Sequence, residues 1–212
     1  MSILPSDIED YALAHSHMVP GYLQELERET RLKILMPQMI SGPLQGHVLA
    51  TFVHMIQPRR ILEIGTFTGY ATLWMAGALA EGGLITTIDI NEELEDMVRN
   101  YIARSGLASK IEYIIGDAAE VVPVLETTFD MVFIDADKVR YRAYYDMVLP
   151  KVRKGGFIIA DNVLWGGKIV QKEKLKNNGE AIREFNAYVH NDERVENVLF
   201  PIRDGLMIAR KL

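Results

Sequence analysis

None of the 212 residues is cysteine. That excludes disulfides, thiolate zinc sites and cysteine nucleophiles, and it fits a reducing compartment. No stretch approaches the roughly 18 apolar residues needed to cross a bilayer. Residues 1–22 include Asp7, Glu9 and Asp10 and hold no long apolar run, so they do not read as a secretory signal. A cytoplasmic protein without membrane contact is expected. Positive charge is also in short supply. The 23 Lys and Arg against 29 Asp and Glu leave a formal charge of −6, which argues against broad electrostatic binding to nucleic acid. There is no internal repeat, low-complexity tract or linker. One α/β domain spanning 1–212 accounts for the length.

Two patterns are present, and they change over near residue 59. Residues 6–35 read as helical, with Ser6 as a candidate N-cap. Residues 36–46, with Pro37, Gly42 and Pro43, read as a loop. A helix is expected from about Leu44 to Ile56, closed by Pro58. Residues 1–58 thus form an N-terminal helical segment. From 59 to 212 short apolar runs (61–64, 84–88, 111–115, 131–134 and 157–160) alternate with helical stretches near 70–80, 92–104, 118–125 and 139–149. This alternation implies crossover units and a parallel sheet with helices on both faces, a Rossmann-like core. Continuous apolar strands agree, because such strands are buried on both sides. Residues 195–201 and 205–210 read as a terminal antiparallel hairpin around Arg203-Asp204-Gly205. The polar stretch 171–178 reads as a loop before a helix near 181–190, with KEKLK (172–176) as solvated chain.

In such sheets, ligands sit beyond the carboxyl ends of the strands. The first run ends in Glu63-Ile64-Gly65-Thr66-Phe67-Thr68-Gly69 and the second in Asp89. Gly65 permits a tight turn and a close ligand approach. A carboxylate at position 89 suits ribose hydroxyls, although it could equally cap the helix that follows. The third glycine of a dinucleotide turn is missing, and an acid, Glu63, sits inside the turn. A carboxylate there repels pyrophosphate and suits the ammonium and sulfonium of S-adenosylmethionine. A nicotinamide dehydrogenase is disfavoured on the same grounds. After the third run, Asp117 and the backbone of Ala118 can meet an adenine.

The fourth run ends in Asp135-Ala136-Asp137-Lys138 and the fifth in Asp161-Asn162. Asp135, Asp161 and Asn162 offer oxygen ligands for a hard cation such as Mg²⁺. Lys138 can reach the same space as a general base. Taken singly, Asp-Asn after a strand is a common turn or cap, and Lys138 a common surface lysine. Their coincidence at adjacent strand ends favours chemistry. His47 and His54 share one helix face and read as packing or surface residues. Tyr141 and Tyr145 read as a core stripe, with Tyr144 a lesser candidate to approach an acceptor.

Together MISGPLQG (39–46), LEIGTFTGY (62–70), DIN (89–91), GDA (116–118), FIDADK (133–138), DNVLWGG (161–167) and RDG (203–205) resemble the cation-dependent O-methyltransferases, which include caffeoyl-CoA and catechol O-methyltransferases. The resemblance implies the class I methyltransferase fold, a seven-stranded, mostly parallel sheet with an antiparallel last strand. It implies S-adenosylmethionine bound by Met39, Ser41, Glu63, Gly65, Thr66, Ala71, Asp89, Asp117, Ala118 and Asp135. Ala71 stands where many members have serine, so only its backbone is left to contact the cofactor. The resemblance further implies a divalent cation (Mg²⁺, with Mn²⁺ or Ca²⁺ as other candidates) on Asp135, Asp161 and Asn162, with Lys138 and Asp135 as catalytic residues. Trp165 and Lys138 would face a small phenolic acceptor, and the chain would form a homodimer. One bacterial branch of the family methylates a hydroxylated uridine in tRNA, which is the alternative substrate class.

Overall fold

The apolar runs pair side by side into one sheet. β1 (Arg60–Ile64), β2 (Leu84–Asp89), β3 (Ile111–Ile115), β4 (Phe129–Ile134) and β5 (Val152–Ala160) lie parallel. β6 (Val195–Phe200) and β7 (Leu206–Lys211) complete the order β3-β2-β1-β4-β5-β7-β6. β7 runs antiparallel to both β5 and β6. The architecture is seen in a computed structural model that describes residues 3–171 and 175–212. Among the described residues no helix is long and apolar enough to cross a membrane.

Alternation along the strands supplies two apolar faces. Ile61, Ile85, Met131, Phe133 and Ile159 point to one side, where α3 (Gly42–Ile56) and α4 (Tyr70–Ala78) cover them. Leu62, Ile64, Val132, Ile134, Ile158 and Ala160 point to the other, under α6 (Ala118–Val124), α7 (Tyr141–Val148) and α8 (Asn177–His190). α2 (Gly21–Lys33) and α5 (Glu95–Ser105) pack onto α4 through Leu23, Leu26, Leu73, Trp74, Val98 and Tyr101. α1 (Ser6–Ala14) has no buried residue. The chain steps outward from β1 through β2 to β3, then returns to lay β4 on the other side of β1. That reversal opens a crevice at the carboxyl ends of β1 and β4.

The structure departs from the sequence reading in its N-terminal third. The helix expected over 6–35 is two helices, broken between Ala14 and Gly21. Pro20 forces the break: its ring disfavours helical geometry in the residue before it, and it serves as the N-cap residue of α2. Ser6 is the first helical residue and not the cap, and no side-chain capping bond is made there. The expected loop 36–46 is shorter, because α3 already begins at Gly42 and seats Pro43 in its first turn, where a missing N–H costs nothing. α8 likewise starts at Asn177, four residues early. Of the expected solvated stretch 172–176, residues 172–174 lie outside the described residues. Glu63 lies on β1 itself, not in the turn after it.

Candidate active site

The turn after β1 runs through Gly65 (φ 100°), Phe67 (φ 49°) and Gly69 (φ 84°). Gly65 is obligatory for a reason other than ligand approach. A Cβ at 65 would lie 2.0 Å from the backbone oxygen of Asp135 at the end of β4. Asp89 braces this turn: Phe67 N–H donates to its Oδ2 at 2.7 Å and Asn91 N–H to its Oδ1 at 2.9 Å. Each oxygen keeps a lone pair for a further donor.

Glu63 points from β1 toward α4 and is fully buried. Thr72 and Thr87 hydroxyls donate to its Oε2 at 2.5 and 2.6 Å, while Oε1 has no partner. Burial pushes the Glu63 carboxyl up to about 8, against the pull of the two threonines and with help from the charges of Asp135 and Asp89. An acid in this state has one acceptor open and gains from a nearby cation.

Two cavities open at this end of the sheet. The larger, about 750 Å³, is lined by Met39, Gly65, Asp89, Asp117, Ala118 and Asp135 among others. At its far end the Arg140 guanidinium donates to both Asp117 oxygens at 3.0 Å, and Ala119 N–H donates to Oδ1 at 2.8 Å. Asp117 therefore faces the cavity as half of an ion pair and as the cap of α6. Arg140 also lies over the Tyr144 ring, 5.1 Å from its centroid. The smaller cavity, about 470 Å³, is lined by Lys138, Asp161, Asn162, Trp165, Lys168 and Arg203. Met36, Met39, Phe67, Asp135, Ala136 and Asp137 line both, so the two spaces share a wall.

At that wall the Lys138 ammonium donates to Asp135 Oδ1 at 2.7 Å and to the Tyr141 hydroxyl at 2.5 Å. The Tyr141 hydroxyl lies 3.2 Å from the Ile134 carbonyl oxygen and 3.0 Å from that of Asp161, tying the ends of β4 and β5 together. Asp161 is buried. Gln45 Nε2 donates to its Oδ2 at 2.6 Å and the Asn162 N–H to its Oδ1, also at 2.6 Å. Burial, and then the negative charge of Asp135, push the Asp161 carboxyl up to about 7. Surplus negative charge among oxygen-only donors fits a hard divalent cation. Among the described residues no group of three His, Cys, Asp or Glu is arranged to hold a metal ion. The fitting set is two carboxylates completed by the Asn162 amide.

Of the expected cofactor residues, Met39, Gly65, Asp89, Asp117, Ala118 and Asp135 line the larger cavity. Ser41, Glu63, Thr66 and Ala71 are buried behind its wall, and Thr66 shares a hydroxyl contact of 2.6 Å with Thr87. Lys138, Asp161, Asn162 and Trp165 line the smaller cavity. Tyr144 faces the larger cavity rather than the smaller. His54 is exposed, and His47 packs on Trp74 with ring centroids 4.5 Å apart. The sequence reading overlooked Gln45, Arg140, Arg203 and the polar task of Tyr141. Gln45 did carry a signal. It precedes Leu49 and Val53 by four and eight positions on the buried stripe of α3, and a polar residue on such a stripe needs a partner.

Residues 13–212 match the model of the O-methyltransferase family. A caffeoyl-CoA O-methyltransferase of Stellaria longipes is 31% identical over 90% of this chain and 83% of that protein. A catechol O-methyltransferase of Niastella koreensis is 33% identical over 82% of this chain and 83% of that protein. The SAH-bound methyltransferase PaMTH1 of Podospora anserina superposes with a TM-score of 0.91 at 26% identity, covering 100% of this chain and 99% of the other.

Proposed function

This chain belongs to the cation-dependent O-methyltransferase family and is an S-adenosylmethionine-dependent O-methyltransferase, and on that premise we propose that it methylates one hydroxyl of a catechol-like small molecule in a divalent-metal-dependent reaction. One observation carries the reading. The cavity that holds Lys138, Asp161 and Asn162 shares the wall at Asp135 with the larger cavity that suits the methyl donor.

Asp135, Asp161 and Asn162 would hold the cation. When bound, it would acidify a phenolic hydroxyl and orient two vicinal oxygens. Gln45 keeps Asp161 in place from below, and Tyr141 keeps Lys138 at the wall. Lys138 Nζ is placed to act as general base on the attacking hydroxyl. S-adenosylmethionine, held in the larger cavity, would supply the methyl group to that oxygen and would leave as S-adenosylhomocysteine, its sulfur a neutral thioether. Phe67, Met39 and Trp165 line the acceptor space with apolar surface.

The test is methyl transfer to a panel of vicinal dihydroxyphenols and to undermodified tRNA, read by mass spectrometry with Mg²⁺ or with EDTA. A monomethyl ether that forms with Mg²⁺ and vanishes with EDTA is expected. Phenol methylation indifferent to EDTA removes the metal from the reaction. A tRNA product alone reassigns the chain to the hydroxyuridine-modifying branch.

A further inference from the structure

Arg203 occupies a backbone conformation that suits glycine. In the turn between β6 and β7 its φ is 49°, in the left-handed region that a side chain makes costly. Such positions persist where the surroundings over-determine them, and they cluster at binding sites. The guanidinium lines the smaller cavity. A Cβ built on Gly42 would meet its Nη1 at 3.4 Å, so the group lies against the start of α3. Nη1 donates to the Ile40 carbonyl oxygen at 3.2 Å. The Nε–H is buried and has no acceptor. Among the described residues Arg203 forms no ion pair.

Charge in this cavity is unevenly satisfied. Asp135 is paired with Lys138. Asp161 accepts from Gln45 and the Asn162 N–H. Asp137 accepts from the Val139 N–H, and Asp204 from the Gly166 N–H. Every acid therefore has a donor. Lys168, on the same lining, makes no side-chain hydrogen bond or ion pair among the described residues, and neither cation lies within ion-pair distance of a carboxylate there, although the Arg203 charge favours the ionised forms of Asp161 and Asp204. A guanidinium that meets only the Ile40 carbonyl oxygen and leaves a buried N–H open suits an anionic acceptor, because a buried donor left open is costly.

We propose that Arg203, assisted by Lys168, binds a carboxylate on the side arm of the acceptor, so that the preferred substrate is a dihydroxyphenyl carboxylic acid and not an uncharged catechol. Adjacent guanidinium N–H groups match the two oxygens of a carboxylate, and Lys168 adds a point charge at the rim. The inference rests on the catechol reading given above.

The test compares 3,4-dihydroxybenzoate with 3,4-dihydroxybenzamide, which carry the same vicinal hydroxyls and differ in charge. With Mg²⁺ and saturating S-adenosylmethionine, kcat/KM for the acid should exceed that for the amide by about tenfold or more, chiefly through KM. Arg203→Gly, which suits the turn, should bring the ratio near one. Lys168→Ala should lower it less. Calorimetry should show the acid binding to the SAH-loaded wild-type protein and not to the SAH-loaded Arg203→Gly variant. Folding of that variant is checked by an unfolding midpoint at or above that of the wild type. A wild-type ratio near one, or a ratio unmoved by Arg203→Gly, overturns the inference while leaving the catechol reading standing. Absence of turnover with the acid, the amide and catechol alike sinks the catechol reading, and the inference with it.

Discussion

The two cavities are built from the same sheet edge by opposite means. On the lining that belongs to the larger one alone, left-handed backbone falls to glycine: Gly65 opens the turn after β1, which Gly69 closes. Around the smaller one it falls mainly to residues with side chains, beside Gly166. Among the described residues six non-glycine residues have positive φ, and five of them line that cavity: Asn162, Trp165 and Arg203 on its own lining, Met36 and Phe67 on the wall it shares with the larger one. The exception is Gln57, at the end of α3. The turn beside the larger cavity needs main chain packed against main chain, at Gly65 and Asp135, and glycine provides it without strain. The acceptor side needs particular side chains at particular angles, and the fold tolerates strain to present them.

The largest expected effect tests whether the two sides are separable. Lys138→Met should lower methyl transfer by about 10²- to 10⁴-fold while leaving S-adenosylhomocysteine affinity within about twofold, since Lys138 lines only the smaller cavity. Calorimetry and single-turnover assays on the same preparation check this. A matching loss of cofactor affinity would merge the two sides into one.

A middle-sized effect concerns Glu63, the acid behind the donor side. Its carboxyl is held up at about 8, against an ordinary value of 4.5. The folded, ligand-free protein thus keeps a proton that the unfolded chain has lost. The associated stability is fully present below pH 4.5 and drains away as pH rises through 8. The unfolding midpoint of the ligand-free protein should fall from pH 5 to pH 9, and Glu63→Gln should flatten that fall. A cationic ligand favours the ionised form. S-adenosylmethionine, whose sulfonium gives it a net positive charge, should therefore bind more tightly as pH approaches 8, at most about tenfold per pH unit, with proton release. Calorimetry in two buffers of different ionisation heat measures that release, and none would place the binding-linked proton elsewhere.

The smallest effect sharpens the contrast in strain. Gln57→Gly and Met36→Gly should each relieve about 1 kcal/mol of left-handed strain. Gln57→Gly should raise the unfolding midpoint by a few degrees and leave methyl transfer alone. Met36→Gly should stabilise similarly but raise the KM for the acceptor. Equal behaviour of the two variants would make the strain around the acceptor cavity incidental.

This contrast also explains what could be read from the chain. Glycines that carry positive φ are visible in a sequence, and so the turn after β1 stands out. A tryptophan or arginine in the same conformation looks like any other. Strand cores were legible because apolar runs mark them, but the first half of β5, Arg153-Lys154-Gly155-Gly156, carries no such run. It lies in the register shift between the Phe129–Val152 and Met131–Phe157 pairs. The break before α2 was hidden by a helical pattern that ignores Pro20. In the site, Asp135, Lys138, Asp161 and Asn162 were legible as polar clusters after buried strands. Their supports were not, because they come from afar in the chain: Gln45 lies 116 residues from Asp161, and Arg203 lies 163 from Ile40. Only Gln45 leaves a local trace.

At position 65 the chain carries a hydrogen where any other residue carries a carbon, and the main chain of Asp135 fills the vacated space. If the two cavities hold methyl donor and recipient as proposed, the wall between them at Asp135 is a ruler cut into the backbone, independent of the side chains that choose the recipient. A lineage could redraw the rim at Met36, Lys168 or Arg203 and so exchange one substrate for another, while the length of the methyl group's flight stayed as it was.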